Sequence, residues 1–318
     1  MSSGVFRGII TPVPTIVQDD GQFDQAGMAV LIDRLLQSKV NGLLFLGSAG
    51  EFFQFPTQAR KAISDFCVAR VAGRRPCIVG TAACSTAEVI ELGRHAGAIG
   101  ADGVIVVNPY YAPLTEERLY THYRTVAEAV ELPVLLYNFP GMTGQDLSIE
   151  LVARLARDCP TIVGIKDTVD CASHTRRLIT EVKAARPDFL VFAGYDEYLI
   201  NTLMLGGDGA IPATSNFAPE ITCGLYDAFL AQDYGRTAEL MKRLAVLSAI
   251  YNLDTPFAGV VKEAIRMTGS DISTGVVPPF TKPGQAIKDR LADVLVRSGV
   301  LPAPLAVPPK PERAEAAD

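Results

Sequence analysis

Residues 133–166 read PVLLYNFPGMTGQDLSIELVARLARDCPTIVGIK. Two short apolar runs, at residues 133–137 and 162–165, flank a segment at 148–156 that has helical periodicity. Apolar runs without polar alternation are typical of strands that are covered on both faces, as in parallel sheets. The stretch therefore predicts a strand–helix–strand unit with parallel strands.

The same alternation extends in both directions and predicts a closed barrel. Eight units of strand and helix over about 210 residues favour the α/β class and a (β/α)8 TIM barrel. An open doubly wound sheet is the alternative, but no GxGxxG follows the first run, where a dinucleotide-binding fold would carry it. Predicted strands lie at residues 8–10, 42–46, 77–80, 103–107, 133–137, 162–165, 189–193 and 209–211, and predicted helices at 24–38, 57–71, 86–97, 115–129, 148–156, 172–184 and 197–205.

The strand signals stop after residue 219, where we place the end of the barrel. Four helical segments follow and predict a small C-terminal helical region over residues 220–301; they lie at 220–230, 234–251, 255–267 and 285–298. Asp254-Thr255-Pro256 is predicted to start the third of these helices. Residues 302–318, rich in Pro, Ala and charge, predict a disordered tail.

Composition excludes several classes of protein. The chain has 318 residues, of which 48% are hydrophobic, and a net charge of −6, so we expect a large core and no nucleic-acid partner. No apolar run approaches the roughly 18 residues of a membrane helix, and no signal peptide is recognisable, so we expect a cytoplasmic protein without a membrane partner. The six cysteines and three histidines lack metal-ligand spacing, so we expect reduced thiols and no metal site.

Polar residues that end barrel strands are the candidates for chemistry, because barrel active sites lie at the carboxyl ends of the strands. Lys166 directly follows the run at 162–165 and is the one lysine, of nine, that the pattern directs toward the barrel interior. Burial disfavours an ammonium and leaves an amine that can attack a carbonyl. A strand-end lysine paired with Asp167 or another acid is the alternative.

Hydroxyl groups and an anion site are predicted at the same rim. Tyr137 ends the strand before the lysine strand, so the two side chains meet at one edge, where a phenol can exchange protons; a rim aromatic with its hydroxyl in water is the alternative. Gly47-Ser-Ala-Gly-Glu51 follows the second strand and allows successive backbone N–H groups to converge on a carboxylate. The Ser48 hydroxyl could join a proton relay, and Asn108-Pro-Tyr-Tyr111 adds further hydroxyls.

An amine, a phenol, a hydroxyl and an anion site suit Schiff-base chemistry on a 2-keto acid. The iminium formed by the lysine is an electron sink, so a neighbouring C–C bond can break without a metal or nucleotide. We therefore expect no cofactor beyond the lysine imine, and a small-molecule 2-keto acid as partner.

From about Phe6 to about Leu301 the chain resembles the pyruvate-dependent class I aldolases, which include dihydrodipicolinate synthase and N-acetylneuraminate lyase. Within that family it is most similar to bacterial 2-keto-3-deoxy sugar-acid aldolases. The motifs that carry the resemblance are Gly47-Ser-Ala-Gly-Glu51, Asn108-Pro-Tyr-Tyr111, Tyr137-Asn-Phe-Pro-Gly-Met-Thr-Gly144, Gly164-Ile-Lys-Asp-Thr168 and Gly194-Tyr-Asp-Glu197.

The resemblance implies a role for each matched residue. Lys166 carries the imine, Tyr137 shuttles protons, Ser48 belongs to the relay, and Tyr111 completes the relay of a neighbouring subunit. The backbone N–H groups of Ser48 and Ala49 would bind the pyruvate carboxylate. Members are commonly homotetramers, so we expect a dimer of dimers.

Two departures from the family bear on the substrate. Ala49 stands where most members have a second hydroxyl residue, and Met142 where dihydrodipicolinate synthases have an arginine for a charged substrate. By contrast, the segment Gly194-Tyr-Asp-Glu197 resembles the hydroxyl-binding segment of sialic acid lyase. We therefore expect Gly194, Tyr195, Asp196, Glu197 and Thr214 to bind substrate hydroxyls, with Met142 at the mouth of the pocket.

The preferred hypothesis is an aldolase that cleaves a 2-keto-3-deoxy sugar acid, of gluconate or pentonate type, to pyruvate and a hydroxyaldehyde. The enzyme alternatives are the lysine-pathway 4-hydroxy-tetrahydrodipicolinate synthase, N-acetylneuraminate lyase and a keto-deoxy sugar-acid dehydratase. An inactive pyruvate or sugar-acid sensor is the non-enzyme alternative. The joint presence of Lys166, Tyr137, Ser48 and Tyr111 argues against the sensor.

Overall fold

Eight parallel strands close into a barrel in chain order in the computed structural model, which describes residues 6–302. The first and last strands pair, with Gly8 opposite Gly209 and Ile9 opposite Ala210, so the sheet has no open edge and the (β/α)8 prediction is confirmed. The predicted tail lies outside the described residues except for Pro302. The strands are β1 (Gly8–Pro12), β2 (Gly42–Phe45), β3 (Cys77–Gly80), β4 (Gly103–Val107), β5 (Val134–Asn138), β6 (Ile162–Asp167), β7 (Leu190–Ala193) and β8 (Gly209–Ala210).

Burial explains why the strands are visible in the sequence. Every residue of the eight strands is buried, between the barrel interior and the surrounding helices. Strands covered on both faces need apolar residues at nearly every position, which produces continuous runs rather than alternation. All eight predicted strands are confirmed, with bounds that differ by at most two residues.

The helices follow the predicted order. The helices are α1 (Gln25–Gln37), α2 (Thr57–Val71), α3 (Thr86–Ala98), α4 (Glu116–Ala129), α5 (Pro140–Thr143), α6 (Ile149–Asp158), α7 (Ala172–Arg177), α8 (Leu199–Leu205), α9 (Pro219–Leu230), α10 (Tyr234–Leu247), α11 (Ala258–Met267) and α12 (Gln285–Arg297). Asp24 and Ser148 cap α1 and α6 by accepting N–H groups of the first turn. Within the described chain, no helix is both long enough and apolar enough to cross a bilayer.

The start predicted for the helix at 255–267 is wrong. Asp254 Oδ1 accepts the N–H of the adjacent Thr255 at 2.8 Å, so it closes a local turn instead of capping a helix, which requires an N–H two or three residues further on. The helix, α11, begins only at Ala258.

The helices after β8 reach the carboxyl-end rim of the barrel. The sequence places the barrel boundary at residue 219; α9, directly after it, packs against β1. Helix α11 contacts two 3₁₀ segments, Ala213–Asn216 after β8 and Ser248–Asn252 after α10. Residues far along the chain are thereby brought to the end of the barrel where the lysine strand terminates.

Candidate active site

Lys166 and Tyr137 lie side by side in the barrel interior. Parallel pairing of β5 with β6 places Tyr137 opposite Lys166, and paired residues of neighbouring strands point to the same face. Lys166 Nζ lies 3.3 Å from the hydroxyl of Tyr137. Lys166 is 5% exposed and Tyr137 3% exposed, so the amine and the phenol meet away from bulk water.

Ser48 extends this pair into a line of three groups. Its Oγ lies 3.3 Å from the Tyr137 hydroxyl, and either oxygen can donate. The Tyr137 hydroxyl therefore stands between an amine and an alcohol, in contact with both. A proton can pass along such a line without entering water.

The turn after β2, where an anion site is predicted, is closed by its own hydrogen bonds. The Gly50 N–H donates to Gly47 O at 3.0 Å, and the Glu51 N–H donates to Ser48 O at 3.1 Å. In the part of the chain that the structure describes, the N–H groups of Ser48 and Ala49 donate to no other protein group. Two neighbouring N–H groups without a protein acceptor, beside Ser48 Oγ, can donate hydrogen bonds to a carboxylate.

These groups open into two adjoining cavities. The lysine cavity, of about 190 Å³, contains Lys166, Tyr137, Ser48 and Ala49, and its remaining wall is Pro12, Phe139, Thr168, Gly194, Tyr195, Ile211, Ala213, Tyr251, Asn252 and Phe257. The aromatic cavity, of about 340 Å³, shares Ser48 and Phe139 with it and is otherwise lined by Phe52, Phe53, Val107, Tyr110, Met142, Thr143, Pro256 and Phe280. None of these lining residues of the aromatic cavity carries a charge.

Asp167 does not pair with Lys166. It points to the opposite face of β6, where Oδ2 meets His174 Nδ1 at 3.0 Å and accepts the Thr175 hydroxyl at 3.2 Å. Burial alone would lower the pKa of His174, but the Asp167 carboxylate raises it above the usual range. The alternative of a lysine neutralised by its own neighbour is wrong, because successive residues of a strand point to opposite faces.

Asp196 and Thr214, predicted to bind substrate hydroxyls, lie behind the cavity wall. Both are buried, and Asp196 Oδ2 accepts the Thr214 N–H at 3.2 Å and the Thr214 hydroxyl. Tyr251 donates its hydroxyl to Asp196 Oδ1 at 2.8 Å. Burial raises the pKa of Asp196 to about 6, although the hydrogen bonds from Thr214 and Tyr251 oppose the rise. Asp196, which Thr214 holds in place, thus positions Tyr251, and Tyr251 lines the lysine cavity.

The other predicted substrate-binding residues occupy different positions. Gly194 lines the lysine cavity, whereas Glu197 is half-buried and lines neither cavity. A Cβ on Gly194 would lie 1.8 Å from Thr168 Oγ1, so only glycine fits there. Met142 lies on α5 in the aromatic cavity, 43% exposed, and Tyr111 is 91% exposed outside both cavities.

Three polar residues of the lysine cavity, Thr168, Tyr251 and Asn252, are not predicted from the sequence. Thr168 follows Lys166 by two positions and so returns to the same face, a signal that strand alternation offers. Tyr251 and Asn252 come from the 3₁₀ segment after α10. No local pattern marks those two residues, because only the packing of the C-terminal helices brings them to the barrel.

The chain is thus a closed (β/α)8 barrel with a buried amine, a buried phenol and a half-buried alcohol in contact at its carboxyl-end rim, where barrel enzymes carry their active sites. Residues 5–297 match the Dihydrodipicolinate synthetase family, and the chain belongs to that family.

Relatives with aldolase names cover nearly the whole chain. It is 47% identical over 293 residues, 92% of its length and 97% of the relative's, to "Putative 2-dehydro-3-deoxy-D-gluconate aldolase YagE" of Escherichia coli K12. It is 44% identical over 297 residues, 93% of its length and 99% of the relative's, to "Probable 2-dehydro-3-deoxy-D-pentonate aldolase YjhH" of the same organism. A crystal structure of YagE in complex with pyruvate superposes with a TM-score of 0.92 at 46% identity, covering 93% of this chain and all of that one.

Proposed function

We propose that this protein is a Schiff-base aldolase that cleaves a 2-keto-3-deoxy sugar acid, of gluconate or pentonate type, to pyruvate and a hydroxyaldehyde. The observation that carries the proposal is the line from Lys166 Nζ through the Tyr137 hydroxyl to Ser48 Oγ, with 3.3 Å between successive groups. It lies beside the two free N–H groups of the turn after β2. The aldolase names of relatives at 44% and 47% identity support the same assignment.

Imine formation is the first step. The N–H groups of Ser48 and Ala49 bind the substrate carboxylate, which directs the adjacent C2 ketone toward Lys166. The Lys166 amine attacks C2, and the Tyr137 hydroxyl carries one proton from nitrogen to the C2 oxygen. Tyr137 then donates its own proton, so that C2–OH leaves as water and Tyr137 remains as the phenolate that accepts a proton in the next step. The product is a cationic imine between Lys166 and C2.

Cleavage of the C3–C4 bond follows from that cation. The Tyr137 oxygen takes the proton of the C4 hydroxyl, the C3–C4 electron pair moves into the iminium, and the C4 aldehyde leaves. The resulting enamine takes a proton at C3, and water hydrolyses the imine to release pyruvate and restore the Lys166 amine. The iminium is the electron sink throughout, so the proposed reaction uses no metal and no nucleotide.

The cavity walls favour an uncharged, hydroxylated aldehyde half. Thr168, Tyr195 and Asn252 offer hydroxyl and amide groups beyond Lys166, which can bond sugar hydroxyls. Met142 and the aromatic side chains around it supply no cation for a second carboxylate. These features oppose the condensation with an amino-acid semialdehyde that the lysine-pathway alternative requires.

Tyr111 supports a shared site between two copies of the chain. Its ring is almost fully exposed in the single subunit, and the resemblance implies that it completes the relay of a neighbour. The assembly that we propose is the homotetramer of the family, in which a dimer is the smallest active unit.

Borohydride trapping tests the central step. Wild-type protein incubated with pyruvate and sodium borohydride should gain one reduced pyruvate adduct, located on Lys166 by peptide mass spectrometry. Lys166→Ala should lose the adduct and the turnover, while Lys61→Ala, which alters a surface ion pair with Glu91, should retain both. An adduct on another lysine, or none on the wild type, would reject the mechanism; an adduct without turnover of any 2-keto-3-deoxy acid would favour the sensor.

A further inference from the structure

A fully buried ion pair joins the anion-binding turn to the C-terminal helices. Glu51, the last residue of Gly47-Ser-Ala-Gly-Glu51, meets Lys262 Nζ of α11, and both side chains are 0% exposed. Lys262 also donates to Gly275 O at 2.8 Å. The pair connects positions 211 residues apart, and it takes no part in the imine chemistry.

The turn that Glu51 ends has a backbone that requires support. Leu46 and Glu51, on either side of the turn, have φ values of 55° and 53°, a region that costs an L-residue free energy and persists only where the surroundings enforce it. The Glu51 N–H is bonded to Ser48 O, so the placement of Glu51 determines the orientation of the Ser48 and Ala49 peptides. Thr15 holds the other side of the turn by donating to Gly50 O at 2.7 Å.

A buried ion pair is a weak source of stability, because desolvation of both charges offsets their attraction. Separating the two side chains would leave each buried charge unpaired, which is strongly disfavoured. The pair therefore fixes the positions of Glu51 and Lys262 relative to each other. Here the pair fixes the end of the turn whose residues Ser48 and Ala49 line the lysine cavity together with Lys166.

We propose that Lys262 is a positioning residue for substrate binding: through Glu51 it holds the Ser48 and Ala49 N–H groups where they receive the carboxylate of the keto acid. The inference rests on the proposed function. It assigns to α11 a role in recognition of the carboxylate, separate from the chemistry at Lys166 and from the aldehyde half of the substrate.

The test compares a ligand that has the carboxylate with one that lacks it. The half-saturating concentration for borohydride trapping is measured with pyruvate and with methyl pyruvate, whose ester carries no charge. Lys262→Met removes the cation. The double variant Glu51→Gln with Lys262→Met leaves no unpaired charge at either position, and it is the variant measured where the single variant does not fold. Lys288→Met is the matched control, since Lys288 pairs with Glu263, the neighbour of Lys262 on α11, at 3.0 Å.

We expect the half-saturating pyruvate concentration to rise at least tenfold in the Lys262 variants, with less than a twofold change for methyl pyruvate and for the trapping rate at saturation. Lys288→Met should match the wild type with both ligands. Equal losses for both ligands, or an unchanged pyruvate concentration in the folded double variant, would overturn the positioning role. Failure of the wild type to trap pyruvate would instead reject the proposed function, and this inference with it.

Discussion

Removal of one oxygen atom, in Tyr137→Phe, separates the chemistry of the site from its packing. The hydroxyl contacts Lys166 Nζ and Ser48 Oγ at 3.3 Å, longer than the usual separation of about 2.7–3.0 Å. Because both hydrogen bonds are long, their loss should lower the free energy of unfolding by only about 1 kcal/mol. Loss of a positioned proton donor and acceptor lowers turnover by about 10²–10⁴-fold, which corresponds to about 2.7–5.4 kcal/mol in the barrier. We therefore expect a folded but nearly inactive protein.

The assay is kcat/KM for cleavage of 2-keto-3-deoxygluconate, with the free energy of unfolding measured on the same preparation. Tyr198→Phe is the matched control, because it removes a hydroxyl that donates to Asp170 at 2.8 Å and lies outside both cavities; it should keep full activity. Activity of Tyr137→Phe within tenfold of the wild type would refute the proton-transfer role. A loss of stability large enough to unfold the variant would show that the hydroxyl is structural instead.

Four further predictions follow from the site. Cleavage of a 2-keto-3-deoxy sugar acid should exceed condensation with aspartate semialdehyde by at least about a hundredfold in kcat/KM, about 2.7 kcal/mol in the barrier, because Met142 replaces a cation; comparable rates would contradict this. Mixtures of the inactive variants Lys166→Ala and Tyr111→Phe should regain activity, since a mixed dimer contains one intact site, whereas no recovery would exclude the shared site. Burial raises the pKa of Asp196 from 3.8 to about 6, so the folded state binds this proton more tightly. The unfolding free energy of the wild type minus that of Asp196→Asn should therefore fall by about 3 kcal/mol in total as the pH rises from well below 3.8 to well above 6, and a pH-independent difference would argue against a buried, ionising Asp196. Activity should survive EDTA, because the imine is the electron sink; loss restored by a divalent ion would reject the mechanism.

Barrel strands and the central pair of the site were predictable because both depend on local sequence. Continuous burial produces apolar runs, and a polar residue at the end of such a run stands out. Alternation of faces then decides the neighbours: Lys166 and Tyr137 point inward, while Asp167 and Asn138 point outward. The same rule predicts Thr168 in the cavity, two positions after the lysine.

The part of the lysine-cavity wall that comes from beyond the barrel was not predictable, because its position depends on long-range packing. Tyr251 and Phe257 belong to segments that follow the barrel, and nothing in their local sequence indicates which barrel strand they approach. Lys262 lies in the segment at 255–267 that the sequence predicts to be helical, yet its helix buries every residue from Ala258 to Ile265. The sequence gives no sign that its charge is matched by Glu51, because the two are brought together only by the closed fold.

Both faces of the lysine strand contribute to the site. On the outer face, Asn138 donates to Asp167 Oδ1 at 3.2 Å and to Asp146 Oδ1 at 2.7 Å, and His174 binds the other oxygen of Asp167. These bonds tie β5 to β6 one residue beyond Tyr137 and Lys166, where a slip in register would separate buried polar partners. Because a slip of one residue reverses the faces of a strand, the outer bonds preserve the inner contact. The separation of the amine and the phenol is thus fixed by the backbone register of β5 and β6 rather than by the side chains of the cavity wall.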